Sequence, residues 1–177
     1  MGYQINGMTE TDWPEVSRIY QEGVDTNLAT FQLDYPSWHE WNSSHLNNCR
    51  LVITEDGGEV VGWAALTAVS GRCVYAGVAE VSVYVAQSHR GRGVGKALLL
   101  ELIHCSERDG FWTLQSGIMQ DNTASICLHE SCGFRMVGYR EKIGRDRFGN
   151  WRNTLLMEKR SANDSFDGVC SCDGGKE

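Results

Sequence analysis

The apolar positions change period along the chain, and each change marks an element. "YQINGM" (Tyr3 to Met8) alternates as a strand does. Trp13, Val16, Ile19, Tyr20 and Val24 then fall at helical spacing, with Thr11 as a candidate cap and Pro14 in the first turn, where its missing N–H is harmless. After the polar loop "DTNLATFQLDY", Pro36 opens a shorter helix carrying Trp38 and Trp41. "RLVITEDGGEVVGWAAL" reads as a hairpin turning at Asp56 to Gly58, and "AGVAEVSVYV" continues the sheet. "GKALLLELIHCSERDG" is helical and closed by Gly110 as a left-handed cap, whereas "FWTLQSGI" returns to the strand period. "NTASICLHESCGF" is a short helix ending at Gly133, and "FRMVGYREKIG" and "NWRNTLLMEKR" pair around "RFGN" as a last hairpin. The predicted order β, α, α, β, β, β, α, β, α, β, β describes an α/β fold, a mixed sheet with helices on its faces.

Residues 1–160 make a single domain on this reading. From 161 to 177 the periodicity is lost and three Asp and one Glu face one Lys, so an acidic, disordered tail is expected. The chain of 177 residues carries a formal net charge of −7, which argues against a nucleic-acid partner. No apolar run reaches the length of a membrane span, and the N-terminus is too polar for a signal peptide, which points to a cytoplasmic protein without membrane contact. The seven cysteines match neither a disulfide framework nor the paired spacing of a zinc site, so no metal is expected. Most of them read as small buried hydrophobes, with Cys170 and Cys172 in the tail.

Against that acidic background "RGRGVGK" (Arg90 to Lys96) stands out, with three glycines and three cations between a strand and a helix. Backbone N–H groups without intrahelical acceptors and the positive end of the helix dipole meet there, so a phosphate is a natural guest; a solvated turn is the plainer alternative. Two common nucleotide loops fail by position. A P-loop needs glycine at 90 and a hydroxyl at 97, where Arg90 and Ala97 stand, and a Rossmann loop starting at Gly91 needs glycine where Lys96 stands.

The loop does fit [QR]xxGxG[AG], written as Arg90-Gly91-Arg92-Gly93-Val94-Gly95 with Lys96 as a departure at the next position. Here the chain resembles the GCN5-related N-acetyltransferases (GNAT superfamily). "NTASICLHESCGF" (Asn122 to Phe134) and "GNW" before the last strand agree with it. Within that superfamily it is most similar to the phosphinothricin and methionine sulfoximine N-acetyltransferases, through "ATF" (Ala29 to Phe31), Arg72 and Tyr75, "EVSVYV" (Glu80 to Val85) and "LHE" (Leu128 to Glu130). Asn153 is a departure, since many relatives carry Asp there.

The resemblance implies a GNAT fold of about seven mostly antiparallel strands and four helices, acetyl-CoA as co-substrate, a small-molecule amine as acceptor, and a homodimer. It implies that acetyl-CoA lies on Arg90, Gly91, Arg92, Gly93, Val94, Gly95 and Lys96, with its pantetheine arm along the backbone of Val83, Tyr84 and Val85. The Val85 amide is then the donor to the developing oxyanion. Asn122 and Ser125 are placed beside the pantetheine and Ser131 near the phosphates, with helix capping and solvent exposure as their plain alternatives.

Glu80 interrupts a Val-rich strand, where a carboxylate is expensive without a task or a partner. By resemblance it is the base for the acceptor ammonium, acting through water; an ion pair with an arginine is the alternative. His129 stands where most of the superfamily has a Tyr acid, and acid, second base and packing residue all remain open. On the acceptor side, Arg72 can grip a carboxylate or phosphinate bidentately, with Tyr75 and Phe31 lining the pocket. Two other functions stay open: acetylation of another small amine or a protein N-terminus, and a non-catalytic acetyl-CoA sensor.

Overall fold

The computed structural model describes residues 2–56 and 58–163. Gly57 of the predicted hairpin turn, the tail beyond residue 163 and its Cys170 and Cys172 lie outside the described residues. The elements follow the predicted order: β1 (Tyr3–Gly7), α1 (Trp13–Asp25), α2 (Trp38–Ser44), β2 (Leu51–Glu55), β3 (Val60–Ala68), β4 (Val78–Val85), α3 (Val94–Arg108), β5 (Thr113–Met119), α4 (Thr123–Ser131), β6 (Arg135–Arg145) and β7 (Trp151–Arg160).

Two helix starts are set by capping boxes rather than by the residues first favoured. Thr9, not Thr11, opens the turn into α1, its N–H donating to Asp12 Oδ2 at 2.7 Å. Ser37 caps α2, accepting from the Glu40 N–H while Glu40 reaches back to the Ser37 N–H.

The strands form one seven-stranded sheet in the order β1-β2-β3-β4-β5-β7-β6. Every neighbouring pair is antiparallel except β4 and β5, which run parallel and pair only at Val78↔Thr113, Ala79↔Leu114 and Glu80↔Gln115. Beyond Glu80 the two strands part, and the sheet opens at its middle. No described helix is long and apolar enough to cross a membrane.

Successive β4 side chains alternate between two cores. Ala79, Val81, Val83 and Val85 join the cluster under α3, where Leu98, Leu99 and Leu102 are fully buried. Each such leucine contributes roughly 1.5–3 kcal/mol on burial. Tyr84 faces the other way, stacked on Trp63 at 4.6 Å and edge-on to Tyr20 of α1, in a cluster completed by Trp13, Trp38 and Trp41. Of the described cysteines, Cys49 and Cys132 are buried, Cys105 is half-buried, and Cys73 and Cys127 are exposed, so the expectation that most are buried holds for only two.

Candidate active site

The glycine loop lies where the pattern placed it, leading from the end of β4 into α3. Gly91 (φ 74°) and Gly93 (φ 85°) both adopt the left-handed conformation that side chains resist, and a Cβ on either would meet nothing within 4 Å. Gly93 is the N-cap of α3, its carbonyl accepting from the Ala97 N–H at 3.0 Å. The backbone N–H groups of Gly91, Arg92, Gly93, Val94, Gly95 and Lys96 have no acceptor among the described residues. Six successive free amides at the positive end of a 15-residue helix, with Arg90, Arg92 and Lys96 exposed around them, form a cradle for a polyanion.

Gly95 is needed for a different reason. A Cβ there would sit 3.2 Å from Leu128 Cδ2 and 3.4 Å from Val85 Cγ2, so the first turn of α3 closes on the end of β4 and on α4 at this point. The cradle is thereby held at the mouth of the opening between β4 and β5. Arg90 adds a tie, its Nε donating to the Val85 carbonyl at 3.1 Å.

The strand edge facing the opening is unpaired. Ala86 N–H donates to Val61 O at 2.9 Å, and the antiparallel alternation therefore turns the N–H groups of Val85 and Val83 away from β3, toward the gap left by β5. The Tyr84 side chain points to α1; burial pushes its phenol well above the ordinary range, with Tyr20 adding to the shift and Thr30 opposing it.

Glu80 occupies the last rung before the opening, half-buried, paired in register with Thr67 of β3 and Gln115 of β5. Its Oε1 lies 3.7 Å from the place a Cβ on Gly117 would occupy. No described residue makes a hydrogen bond or ion pair with this carboxylate, so an arginine partner does not account for it. An unpartnered carboxylate at the root of a cleft is available to a proton donor brought in from outside.

On α4, Asn122 is fully engaged. Its Oδ1 accepts from the Ser125 N–H at 3.1 Å as the N-cap, and its Nδ2 donates to the Leu28 carbonyl at 3.1 Å. Ser131 is exposed, with its hydroxyl donating to the Leu128 carbonyl. His129 is buried at 3% exposure, its ring edge-on to Phe134 at 5.0 Å. Its Nδ1 lies 2.8 Å from the Ser125 carbonyl and 3.4 Å from the Ser125 hydroxyl. A carbonyl can only accept, so Nδ1 carries the proton and Nε2 the lone pair, and Nε2 is buried without a partner among the described residues. Burial lowers the His129 pKa, with the Ser125 carbonyl opposing. The ring is therefore a neutral imidazole with a free acceptor.

On the acceptor side, Arg72 and Tyr75 share one exposed loop, with the guanidinium 5.8 Å from the Tyr75 ring centroid. The Phe31 ring packs on Gly144 of β6, where an added Cβ would meet ring atoms at 3.0–3.3 Å.

A family profile described as the acetyltransferase (GNAT) family matches residues 13–134. The chain belongs to that family. Among its relatives, the phosphinothricin N-acetyltransferase of Alcaligenes faecalis is 32% identical over 160 residues, 88% of this chain and 81% of that protein. An L-methionine sulfoximine/L-methionine sulfone acetyltransferase of Pseudomonas aeruginosa is 29% identical over 163 residues, 89% of this chain and 94% of that one. The crystal structure of a phosphinothricin acetyltransferase from Sinorhizobium meliloti in complex with AcCoA superposes with a TM-score of 0.82 at 30% identity, covering 90% of this chain and 89% of the other.

Several residues that position the site in this acetyltransferase escaped the sequence reading. The loop ahead of α2 is tied to the β6–β7 hairpin: Asn27 Nδ2 donates to Asp146 Oδ2 at 3.0 Å, Arg152 Nη1 to the Asn27 carbonyl at 3.1 Å, and Arg147 Nη2 to the Leu33 carbonyl at 2.8 Å. Asp146, 3% exposed in its side chain, has its pKa lowered to about 2, first by the Asn27 amide and then by the Asn150 and Phe148 N–H groups and Arg152. Asn153 accepts from the Lys142 N–H at 2.8 Å and donates to Gln120 Oε1 at 3.0 Å; an Asp could supply the first contact but not the second. The ties of Asn27 and Leu33 to the hairpin have no local signature, because they join segments far apart in sequence.

Proposed function

We propose that this GNAT N-acetyltransferase uses acetyl-CoA to acetylate the amine of a small amino-acid-like acceptor of the phosphinothricin or methionine sulfoximine type. The observation that carries the reading is the conjunction of six free amides, an unpaired strand edge and an unpartnered carboxylate around one opening in the sheet. Bound acetyl-CoA supplies an activated acetyl group as a thioester. The amides of Gly91 to Lys96 hold its pyrophosphate, and the exposed edge of Val83 and Val85 takes the pantetheine arm as an added strand.

The residues of the chain divide the proton and charge handling. Glu80 accepts the proton of the acceptor ammonium through a water, leaving a nucleophilic amine. The Val85 N–H donates to the oxygen on which negative charge develops. His129, neutral and with Nε2 bare, is suited to accept a proton rather than to donate one, which favours the second-base role over the acid role. Arg72 grips the acceptor's carboxylate or phosphinate, with Tyr75 beside it, and the names of the relatives support that acceptor class.

The test is thiol release from acetyl-CoA with phosphinothricin, methionine sulfoximine, ordinary amino acids and polyamines as acceptors. Glu80→Gln is expected to lower kcat by about 10²–10⁴-fold with little change in the KM for acetyl-CoA. Unchanged turnover removes Glu80 from the mechanism, and binding of acetyl-CoA with no thiol release from any amine overturns the enzymatic reading.

A further inference from the structure

The far end of α3 brings together three residues that the chemistry above does not use. Cys105 lies in the last turn of α3, Asp109 is its C-cap, and Cys49 stands just ahead of β2. Their ligand atoms, two Sγ and one carboxylate oxygen, all lie within 4.8 Å of one another. We propose that Cys49, Cys105 and Asp109 form a binding site for one thiophilic divalent cation of the zinc class.

The geometry already approximates a coordination shell. Cys49 Sγ is 3.4 Å from Asp109 Oδ2, and a tetrahedral zinc with sulfur at about 2.3 Å and oxygen at about 2.0 Å holds those two atoms roughly 3.5 Å apart. The thiol proton now occupies the line between them. Cys49 is held in the left-handed conformation at φ 54°, an uncommon state for a residue with a side chain.

Charge points the same way. The site sits at the negative end of the α3 dipole, where a cation is favoured. The adjacent arginines are directed elsewhere: Arg50 donates to the carbonyls of Leu46, Asn42 and His45, and Arg108 pairs with Glu101. Cys49 is buried, Cys105 half-buried and Asp109 exposed, which gives an entry path on the carboxylate side and leaves the fourth position to water. Binding exchanges two thiol protons for the ion without oxidation or reduction. The ion then joins the start of β2 to the end of α3, about 16 Å along the helix from Val94 at 1.5 Å per residue.

The test uses the full-length chain carrying Cys170→Ser and Cys172→Ser, reduced, freed of metal by chelator and titrated with Cd²⁺ without oxygen. A thiolate-to-cadmium charge-transfer band saturating at one equivalent is expected, together with a rise in Tm on adding Zn²⁺. Cys105→Ser and Asp109→Asn are each expected to weaken binding by about tenfold or more, whereas Cys73→Ser leaves it unchanged. These two variants carry the test should Cys49→Ser fail to fold. Absence of the band, or a band at full strength and affinity in Cys105→Ser, overturns the proposal.

Discussion

Replacing Gly93 by alanine separates the two demands made on the glycine loop. The residue is in the left-handed region at φ 85° and its missing Cβ faces open space, so the penalty of a methyl group is torsional and not steric. That penalty is roughly 1–2 kcal/mol. For a chain of this size each kcal/mol lowers Tm by about 2–4 °C, so Gly93→Ala is expected to melt roughly 2–8 °C below the parent. Gly93→Asn, whose side chain tolerates the left-handed region, is expected to recover part of that loss. Relaxation of φ also re-aims the neighbouring N–H groups. Losing one charge-assisted hydrogen bond to a phosphate removes about 1.5–3 kcal/mol, or about ten- to a hundredfold in the KM for acetyl-CoA. Differential scanning fluorimetry and steady-state kinetics well below Tm read the two effects independently. An alanine variant with the parent's Tm, or an asparagine variant no more stable than alanine, would refute the torsional argument, and an alanine variant with the parent's KM for acetyl-CoA would refute the assignment of these amides to the pyrophosphate.

Arg72→Ala is expected to raise the KM for methionine sulfoximine about tenfold or more, with the KM for acetyl-CoA unchanged; an unaltered acceptor KM would take Arg72 out of the pocket. Asp146 has a folded-state pKa of about 2, below its ordinary 3.8, so its ionised form stabilises the fold above the ordinary value and that contribution is lost as pH falls from about 4 toward 2. Urea midpoints at pH 7 and pH 3 should converge more in Asp146→Asn than in the parent, and parallel losses would contradict this. Edge strand β6 exposes Met136, Val137, Tyr139 and Ile143, and a second copy of the chain covering them is expected; a monomeric mass by light scattering at micromolar concentration would exclude it.

The elements and their order were legible because the apolar period changes cleanly at each boundary, from the two-residue alternation of "EVSVYV" to the helical spacing after Gly95. The glycine loop was legible too, since its glycines mark left-handed positions and its place between strand and helix fixes the direction of the amides. Local signals were present and passed over at Thr9–Asp12 and Ser37–Glu40, both of the capping-box form. The opening of the sheet after Glu80↔Gln115 was implied by the family resemblance, through the pantetheine arm laid along Val83 to Val85, and not by the apolar periodicity. Strand parting is a property of two segments 35 residues apart, and nothing in either announces it. For the same reason the cap reading of Asn122, which the Ser125 N–H bears out, left unseen that its amide also donates to the Leu28 carbonyl. The proton position on His129 follows from a carbonyl four residues earlier, a contact that depends on the rotamer the buried ring adopts.

The ties from Asn27, Leu28 and Leu33 to Asp146, Arg152, Asn122 and Arg147 have a consequence for redesign. A segment so anchored cannot be exchanged alone for that of a relative, because the amide of Asn27 and the carboxylate of Asp146 are each other's partners across 119 residues of sequence. Transplanting one without the other leaves a nearly enclosed carboxylate short of a donor. Redesigning either segment in this scaffold therefore means moving the two as a matched pair, the way a lock is changed together with its key.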